Sequence, residues 1–393
     1  MTATTPLRVL VVHNRYRERG GEDAVVDDEQ RLLAMRGHVV FRHERHNDEI
    51  ALQPAWRTAA ESVWSRRSLQ ELRALVDSAR PDVIHVHNTW ALLSPSVLWA
   101  AEGHAIGVVA TLHNHRLACL EGTFQRDGAV CRACLGQVPW RGVVAGCYRG
   151  SRVQSAVLAA SIVVHRRLGS WTQPVHRCLV LNEGARATFE AIGLPRERLR
   201  VRPNFAWPVP EAAVPLPRHG GVYVGRLSPE KGAGVMAEVL ALRPDLPLTV
   251  LGDGPHRATL AAAGATCLGA LAPAEVPAHL LKAAWCVIPS VTLEQFPRVL
   301  AEAYAAGLPV IASRLGPLAE WVRDGETGLL VEPGQPQALA DAMAWAEAHP
   351  HEMAAMGAAA RRLHAEHLGP DAAARSLEAV YREAIDEARG GSP

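Results

Sequence analysis

Short apolar runs that end in polar residues recur along the first half of the chain. LRVLVVHN (7–14), GHVVFRHE (37–44), PDVIHVHN (81–88), GVVATLHN (107–114), SIVVH (161–165) and RCLVLN (177–182) each read as a strand, and Glu22 to Arg36 reads as a helix between the first two. Strands this continuously apolar suit a parallel sheet covered on both faces. Their polar ends bring His13 and Asn14, His87 and Asn88, and His113 and Asn114 to one sheet edge, the edge where open α/β sheets bind ligands. The pattern then pauses at PNFAWPVPEAAVPLPRH (203–219), whose prolines predict a linker. A second series follows, with strands GVYVG, LTVLGDG, WCVIPS, PVIAS and GLLV and helices over 233–242, 256–263, 297–306, 317–323 and 336–348. After a break at Gly369-Pro370, residues 371–389 read as a last helix.

The expected architecture is α/β, with two Rossmann-like domains whose parallel sheets face a cleft. Residues 1–206 form the first domain, with a cysteine-rich insertion at 114–152. Residues 207–370 form the second, and 371–393 a C-terminal helix packing back on the first. A length of 393 residues supports two cores. With 48% hydrophobic and 21% charged residues the chain has a globular composition. No apolar run reaches the roughly 18 residues that span a bilayer. The N-terminus enters a strand without a cleavable signal pattern, so the expectation is a cytoplasmic protein, with peripheral attachment to the inner face of the membrane left open. The net charge of +1 conceals an asymmetry: 27 basic residues face 19 acidic ones up to Ala206, and 14 face 21 beyond it. A basic half suits phosphates or an anionic membrane surface, with Arg15, Arg17, Arg19, Arg66 and Arg67 as candidate contacts. It equally suits a solvated arginine-rich surface. No nucleic-acid partner is expected.

The most informative stretch runs from Leu293 to Gly334, LEQFPRVLAEAYAAGLPVIASRLGPLAEWVRDGETGLLVEPG. Pro297 suits a helix start and Gly307 its stop. Glu294 then lies in the loop before the helix and Glu302 on its second turn. The free amides of such a start can hold phosphate or sugar oxygens, and a carboxylate can accept hydrogen bonds from two vicinal hydroxyls. In GVYVGRLSPEKG (221–232) a strand runs into a loop carrying Arg226 and Lys231, two cations able to neutralise a diphosphate without a metal. This loop is not a Walker loop, and the loop after the first strand is not GxGxxG.

Together GRLSPEKG, LGDGP (251–255), the paired glutamates and GLPVIAS…E…DG.TGLLVEPG resemble family 4 of the retaining glycosyltransferases, which have the GT-B fold. RGGEDAVVDDEQRLLAMRGH, DVIHVHN, TLHN and LPRERLRVRPNF resemble the matching parts of its first domain. The resemblance covers nearly the whole chain. It implies that Arg226 and Lys231 bind the donor diphosphate and that Glu302 holds the ribose. It further implies that Glu294 contacts the transferred sugar with backbone amides of 295–297, Phe296 among them. His113 would face the sugar and leaving group from the first domain, and Gly20 and Gly21 would line the cleft near phosphates or acceptor. His85 and His87 read as structural. One departure stands out: the family commonly reads Glu-Gly-Phe-Gly, whereas this chain has Glu294-Gln295-Phe296-Pro297, and Pro297 has no amide hydrogen to offer.

The resemblance implies a retaining transfer from a nucleoside diphosphate (NDP) sugar to an acceptor hydroxyl of a glycan, a lipid-linked or a small molecule, in polysaccharide, glycolipid or envelope synthesis, with no catalytic cofactor. Two alternatives stay open. One is a nucleotide-sugar epimerase of the same architecture, which needs carboxylates for proton transfer at carbon. The other is a non-catalytic scaffold, suggested by the changed 295–297 segment. Finally, Cys119, Cys131, Cys134 and Cys147 follow His113 with spacing Cys-x11-Cys-x2-Cys-x12-Cys. A structural zinc ion, an iron–sulfur cluster or plain free cysteines in an insertion all fit that spacing.

Overall fold

The structure, a computed structural model, describes residues 5–126, 128–209 and 217–390. Its strands are β1 (Arg8–Arg15), β2 (Val39–His46), β3 (Val83–Val86), β4 (Gly107–Leu112), β5 (Gln125–Arg126), β6 (Ala129–Val130), β7 (Arg177–Val180), β8 (Leu199–Val201), β9 (Gly221–Val224), β10 (Leu248–Leu251), β11 (Thr266–Gly269), β12 (Trp285–Ile288), β13 (Val310–Ser313) and β14 (Gly328–Val331). Two six-stranded sheets have the orders β2-β1-β3-β4-β7-β8 and β11-β10-β9-β12-β13-β14; β5 and β6 make a separate hairpin. Every pairing within the two large sheets is parallel. In both sheets the strand order reverses beside the first strand of the unit, the topology that opens a binding crevice at the carboxyl ends.

The chain divides into two compact units, Met1–Arg202 with Ala374–Pro393, and Pro203–Ala373. In the first unit β1 is buried on both faces, and its side chains alternate between two cores. Leu10 and Val12 join Ile84, Val86, Val108 and Ala110 on one side. Val9 and Val11 join Leu377, Val380, Tyr381, Ala384 and Ile385 of the terminal helix Pro370–Ala388 on the other. That helix lies close to the sheet: a Cβ on Gly107 would stand 2.9 Å from the backbone nitrogen of Ile385. Its polar face is tied down by Arg36–Glu378 and by Arg177 and Arg200 on Glu383. The core of the second unit gathers Tyr223, Val250, Val287 and Ile311 from the sheet with Met236, Leu240, Leu339 and Met343 from the helices Ala233–Leu242 and Pro336–Ala348.

One expected strand is not a strand. SIVVH lies inside the helix Arg152–Arg167, whose buried Ser155, Leu158, Ala159 and Ile162 follow helical spacing. A short apolar run fits either period, and the wider window decides it. The helices Arg66–Ala79 and Pro350–Leu363 and the strands β8 and β11 had no counterpart in the pattern. Of the proline-rich stretch 203–219, residues 210–216 lie outside the described residues, and the flanking parts carry no helix or strand. No helix among the described residues is long and apolar enough to cross a membrane.

Candidate functional site

In the second unit the carboxyl ends of β9, β10 and β12 meet. β9 runs into Gly225-Arg226-Leu227-Ser228, a single turn Pro229–Lys231, and Gly232 in the left-handed region at φ 74°. A Cβ at Gly232 would sit 1.9 Å from the carbonyl oxygen of Pro289, and one at Gly252 1.8 Å from that of Gly225. Glycine at these two positions therefore lets three loops press together. The Leu227 amide donates to the Asp253 carbonyl (2.8 Å) and the Val291 amide to the Glu230 carbonyl (3.1 Å).

This closeness joins the two sequence motifs. The Lys231 ammonium pairs with Glu294, which also accepts from the Ser290 hydroxyl. Arg226 is 75% exposed, with Glu230 at 3.1 Å, and so presents its guanidinium to solvent. Pro297 caps the helix Arg298–Ala305 in an extended conformation. Glu302, one turn in, lies 3.3 Å from Arg298 and remains partly exposed. The 294–297 segment is fixed from below: the Asn204 side chain donates to the Phe296 carbonyl (3.1 Å), and the buried Phe296 ring meets Trp321 edge-on at 5.9 Å.

In the first unit, His113 follows β4 and lines an open pocket of about 600 Å3 with Glu22, His87, Asn88, Trp90, Asn114, Arg116 and Leu117 among its walls. Its Nε2 meets Nδ1 of His87 at 2.9 Å, and the two rings stack at 5.2 Å. Burial pushes the His113 imidazole below its usual value, and Glu22 and Glu29 only partly oppose this. His87 is driven well down by burial and by its His85 and His113 neighbours. Both rings are therefore neutral at neutral pH. Beneath them His85 bonds the hydroxyls of Tyr381 and Thr111, each at 2.7 Å, and Glu29 pairs with Arg202 in the interior. Among the described residues, Glu29, His85 and His87 have the one grouping of metal-ligand atoms within 4.8 Å of one another. Both His85 nitrogens are engaged and Arg202 pairs with Glu29 Oε1, whereas Glu29 Oε2 and His87 Nε2 lie 3.6 Å apart without a hydrogen-bond partner.

Gly20 and Gly21 stand at the start of the helix Gly21–Met35, with open space around Gly21. The Gly20 amide is taken by Asp23 at 2.8 Å, and Asp23 also bonds His13 at 2.8 Å. Sequence reasoning missed Glu22, Tyr16 and Arg116. Glu22 accepts from the Tyr16 hydroxyl (2.7 Å) and the Asn114 amide (2.8 Å). Burial raises its carboxyl, but His113, Arg116 and these bonds outweigh it and hold the group below the ordinary carboxylate range. The available signal was the charge next to each motif: Glu22 in RGGED and Arg116 in TLHNHR. Of the arginines marked for a membrane surface, Arg15 pairs with Asp27 and Glu44, Arg19 with Asp27, and Arg67 with Glu71.

Two units, each a six-stranded parallel sheet flanked by helices, define the GT-B class of fold. Solved structures of that shape cover almost the whole chain: sucrose-phosphate synthase from Thermosynechococcus elongatus (TM-score 0.68, 18% identity, 97% of this chain and 100% of that one) and HepE from Anabaena in complex with UDP (TM-score 0.64, 16% identity, 96% and 100%). Residues 19–206 match Glycosyltransferase Family 4, and residues 221–363 match Glycosyl transferases group 1. A D-inositol 3-phosphate glycosyltransferase of Thermobispora bispora is 30% identical over 342 residues, 80% of this chain and 73% of that protein. A putative teichuronic acid biosynthesis glycosyltransferase, TuaC of Bacillus subtilis, is 37% identical over 131 residues, a match spanning 33% of each chain. The chain belongs to the group 1, family 4 glycosyltransferases.

Proposed function

We propose that this chain transfers a sugar, with retention at the anomeric carbon, from an NDP-sugar to an acceptor hydroxyl. The observation that carries this reading is the Lys231–Glu294 ion pair, which joins the loop carrying Arg226 and Lys231 to the segment ahead of the helix that carries Glu302, in a chain of this family. In the transfer the acceptor oxygen bonds to the anomeric carbon as the bond from that carbon to the diphosphate oxygen breaks. The acceptor proton passes to the departing diphosphate on the same face. Arg226 and Lys231 stabilise the growing negative charge, and no metal is required for that role. Glu294, anchored by Lys231 and Ser290, accepts from hydroxyls of the transferred sugar, and Glu302 accepts from the ribose. Neutral His113 acts on the sugar and leaving group, held in orientation by His87. Gly20 and Gly21 offer backbone close to phosphate or acceptor.

The acceptor is a hydroxyl of a glycan, a lipid-linked or a small molecule, and relatives that act on inositol phosphate and in teichuronic acid synthesis are compatible with this range. Peripheral contact with an anionic membrane remains part of the proposal through the arginine excess of the first half. The test is product analysis: purified protein, a panel of NDP-sugars and hydroxyl acceptors, and NMR of the new anomeric centre. Release of NDP with a glycoside of the donor's configuration supports the reading. An inverted product, or isomerised NDP-sugar formed without any acceptor, contradicts it.

A further inference from the structure

The insertion after His113 is built from turns, a hairpin and a short helix, and packs through Leu120, Val143 and Tyr148 on Trp90, Leu158 and Ile162. Cys119 opens a tight turn in which the backbone amides of Gly122, Phe124 and Glu121 point at its sulfur. The hairpin β5–β6 follows, closed at its base by the Cys131 amide on the Phe124 carbonyl at 2.6 Å. Cys131-Arg132-Ala133-Cys134 forms a second turn. A short helix Trp140–Val144 then brings back Cys147, whose amide donates to the Gly142 carbonyl at 2.9 Å. All four cysteines line one small pocket together with Arg126 and Arg141. No disulfide joins them.

We propose that Cys119, Cys131, Cys134 and Cys147 bind one zinc ion that clamps this module. Two sulfur-bearing turns joined by a hairpin suit a tetrahedral thiolate site. Amides aimed at Cys119 stabilise its thiolate in the way that outer hydrogen bonds tune metal ligands. Four thiolates around Zn²⁺ leave a charge of −2, and two guanidiniums line the same cavity; a pair of disulfides would carry no charge for them to meet. Each of the four sulfurs gives up its proton to solvent as its Zn–S bond forms. No three of the sulfurs lie within 4.8 Å of one another. Zn–S bonds of about 2.3 Å require sulfurs about 3.8 Å apart, so binding draws the hairpin and the Cys147 turn inward.

The clamp has a consequence for the His113 pocket. Arg116 and Leu117, just ahead of Cys119, form part of its wall. Tyr148, next to Cys147, accepts the Trp90 indole N–H at 2.8 Å, and Trp90 lines the same pocket. Zinc thus fixes both ends of that wall.

The experiment measures metal and local order on the full chain and does not depend on transfer activity. Elemental analysis of protein purified under reducing conditions should give about one zinc per chain. Cobalt substitution should give thiolate-to-cobalt charge-transfer absorption and tetrahedral bands in the red. Cys131→Ser and Cys147→Ser should each lose the metal, and Cys267→Ser in the second unit should keep it. Chelation should raise hydrogen exchange at 115–120 and 147–158 and leave the second unit unchanged. Should the serine variants fail to fold, thiol titration of the native chain decides: four thiols unreactive until a chelator is added support the site. Metal-free protein with no cobalt spectrum, disulfides among the four in a non-reduced peptide map, bound iron, or exchange indifferent to chelation would overturn the proposal.

Discussion

At Lys231 and Glu294 the two sequence motifs come together, because one ion pair ties the 226–232 loop to the loop ahead of the helix Arg298–Ala305. A ribose contact serves ground and transition states alike, so Glu302→Ala should raise KM for the donor about 10-fold with little change in kcat. A contact on the transferred sugar tightens as charge develops. Glu294→Ala should therefore lower kcat by about 10²- to 10³-fold, a cost of roughly 3–4 kcal/mol. Steady-state kinetics separate the two, and identical profiles would contradict the assigned roles. The buried histidines make a pH prediction. His85 is pushed down to about 4 from 6.5 by burial, and His87 and His113 are also lowered. The unfolded chain then binds more protons than the folded one below pH 6.5, so stability is full above that pH and is lost as pH falls towards 4. The melting temperature should begin to fall well before the carboxylates titrate. A melting temperature constant from about pH 7 to 5 would show that these rings are not held neutral.

Loops made the site, and loops were the least legible elements. The strands of the second series all formed, and most of their apolar runs stop at a Gly, Pro or Ser that also marks the turn. SIVVH misled because it has no such stop: it runs on into Arg166 and Arg167 inside a helix, and a short apolar run fits either period. The 228–232 and 289–294 loops carry no period, so their contact had no signal beyond the glycines. Gly232 is the checkable case. At φ 74° and 1.9 Å from the Pro289 carbonyl, Gly232→Ala combines left-handed strain with an overlap against backbone. It should cost at least about 2 kcal/mol and weaken donor binding by parting Lys231 from Glu294. Chemical denaturation measures the first effect and calorimetry the second; a neutral Gly232→Ala would mean that the loops do not depend on that approach. The partners Glu22 and Arg116, though each stands beside a motif, went unassigned for a related reason: periodicity reports which face is buried, and not which charges meet behind it.

Across the whole molecule the last helix belongs with the first unit, although 171 residues of the other unit, Pro203–Ala373, precede it. The break at Gly369-Pro370 and the return of the last helix to the first domain were both expected; what the structure adds is the face that makes the contact, the apolar stripe Leu377, Val380, Tyr381, Ala384 and Ile385. Leu377, Val380 and Ile385 each contribute about 1.5–3 kcal/mol on burial, so the stripe rivals the roughly 5–15 kcal/mol stability of a domain. A chain ending at Gly369 should lose the near-ultraviolet signature and cooperative melting of the first unit while the second still melts. Two intact transitions would contradict the packing. The central claim is that the second unit holds an NDP-sugar through Arg226 and Lys231. Calorimetric titration of nucleotide sugars into the wild-type chain and the Arg226→Ala/Lys231→Ala double variant tests it most directly. Saturable binding by the wild type, weakened at least about 10²-fold in a variant that melts normally, is the predicted result; equal binding by both proteins, or none by the wild type, would contradict it.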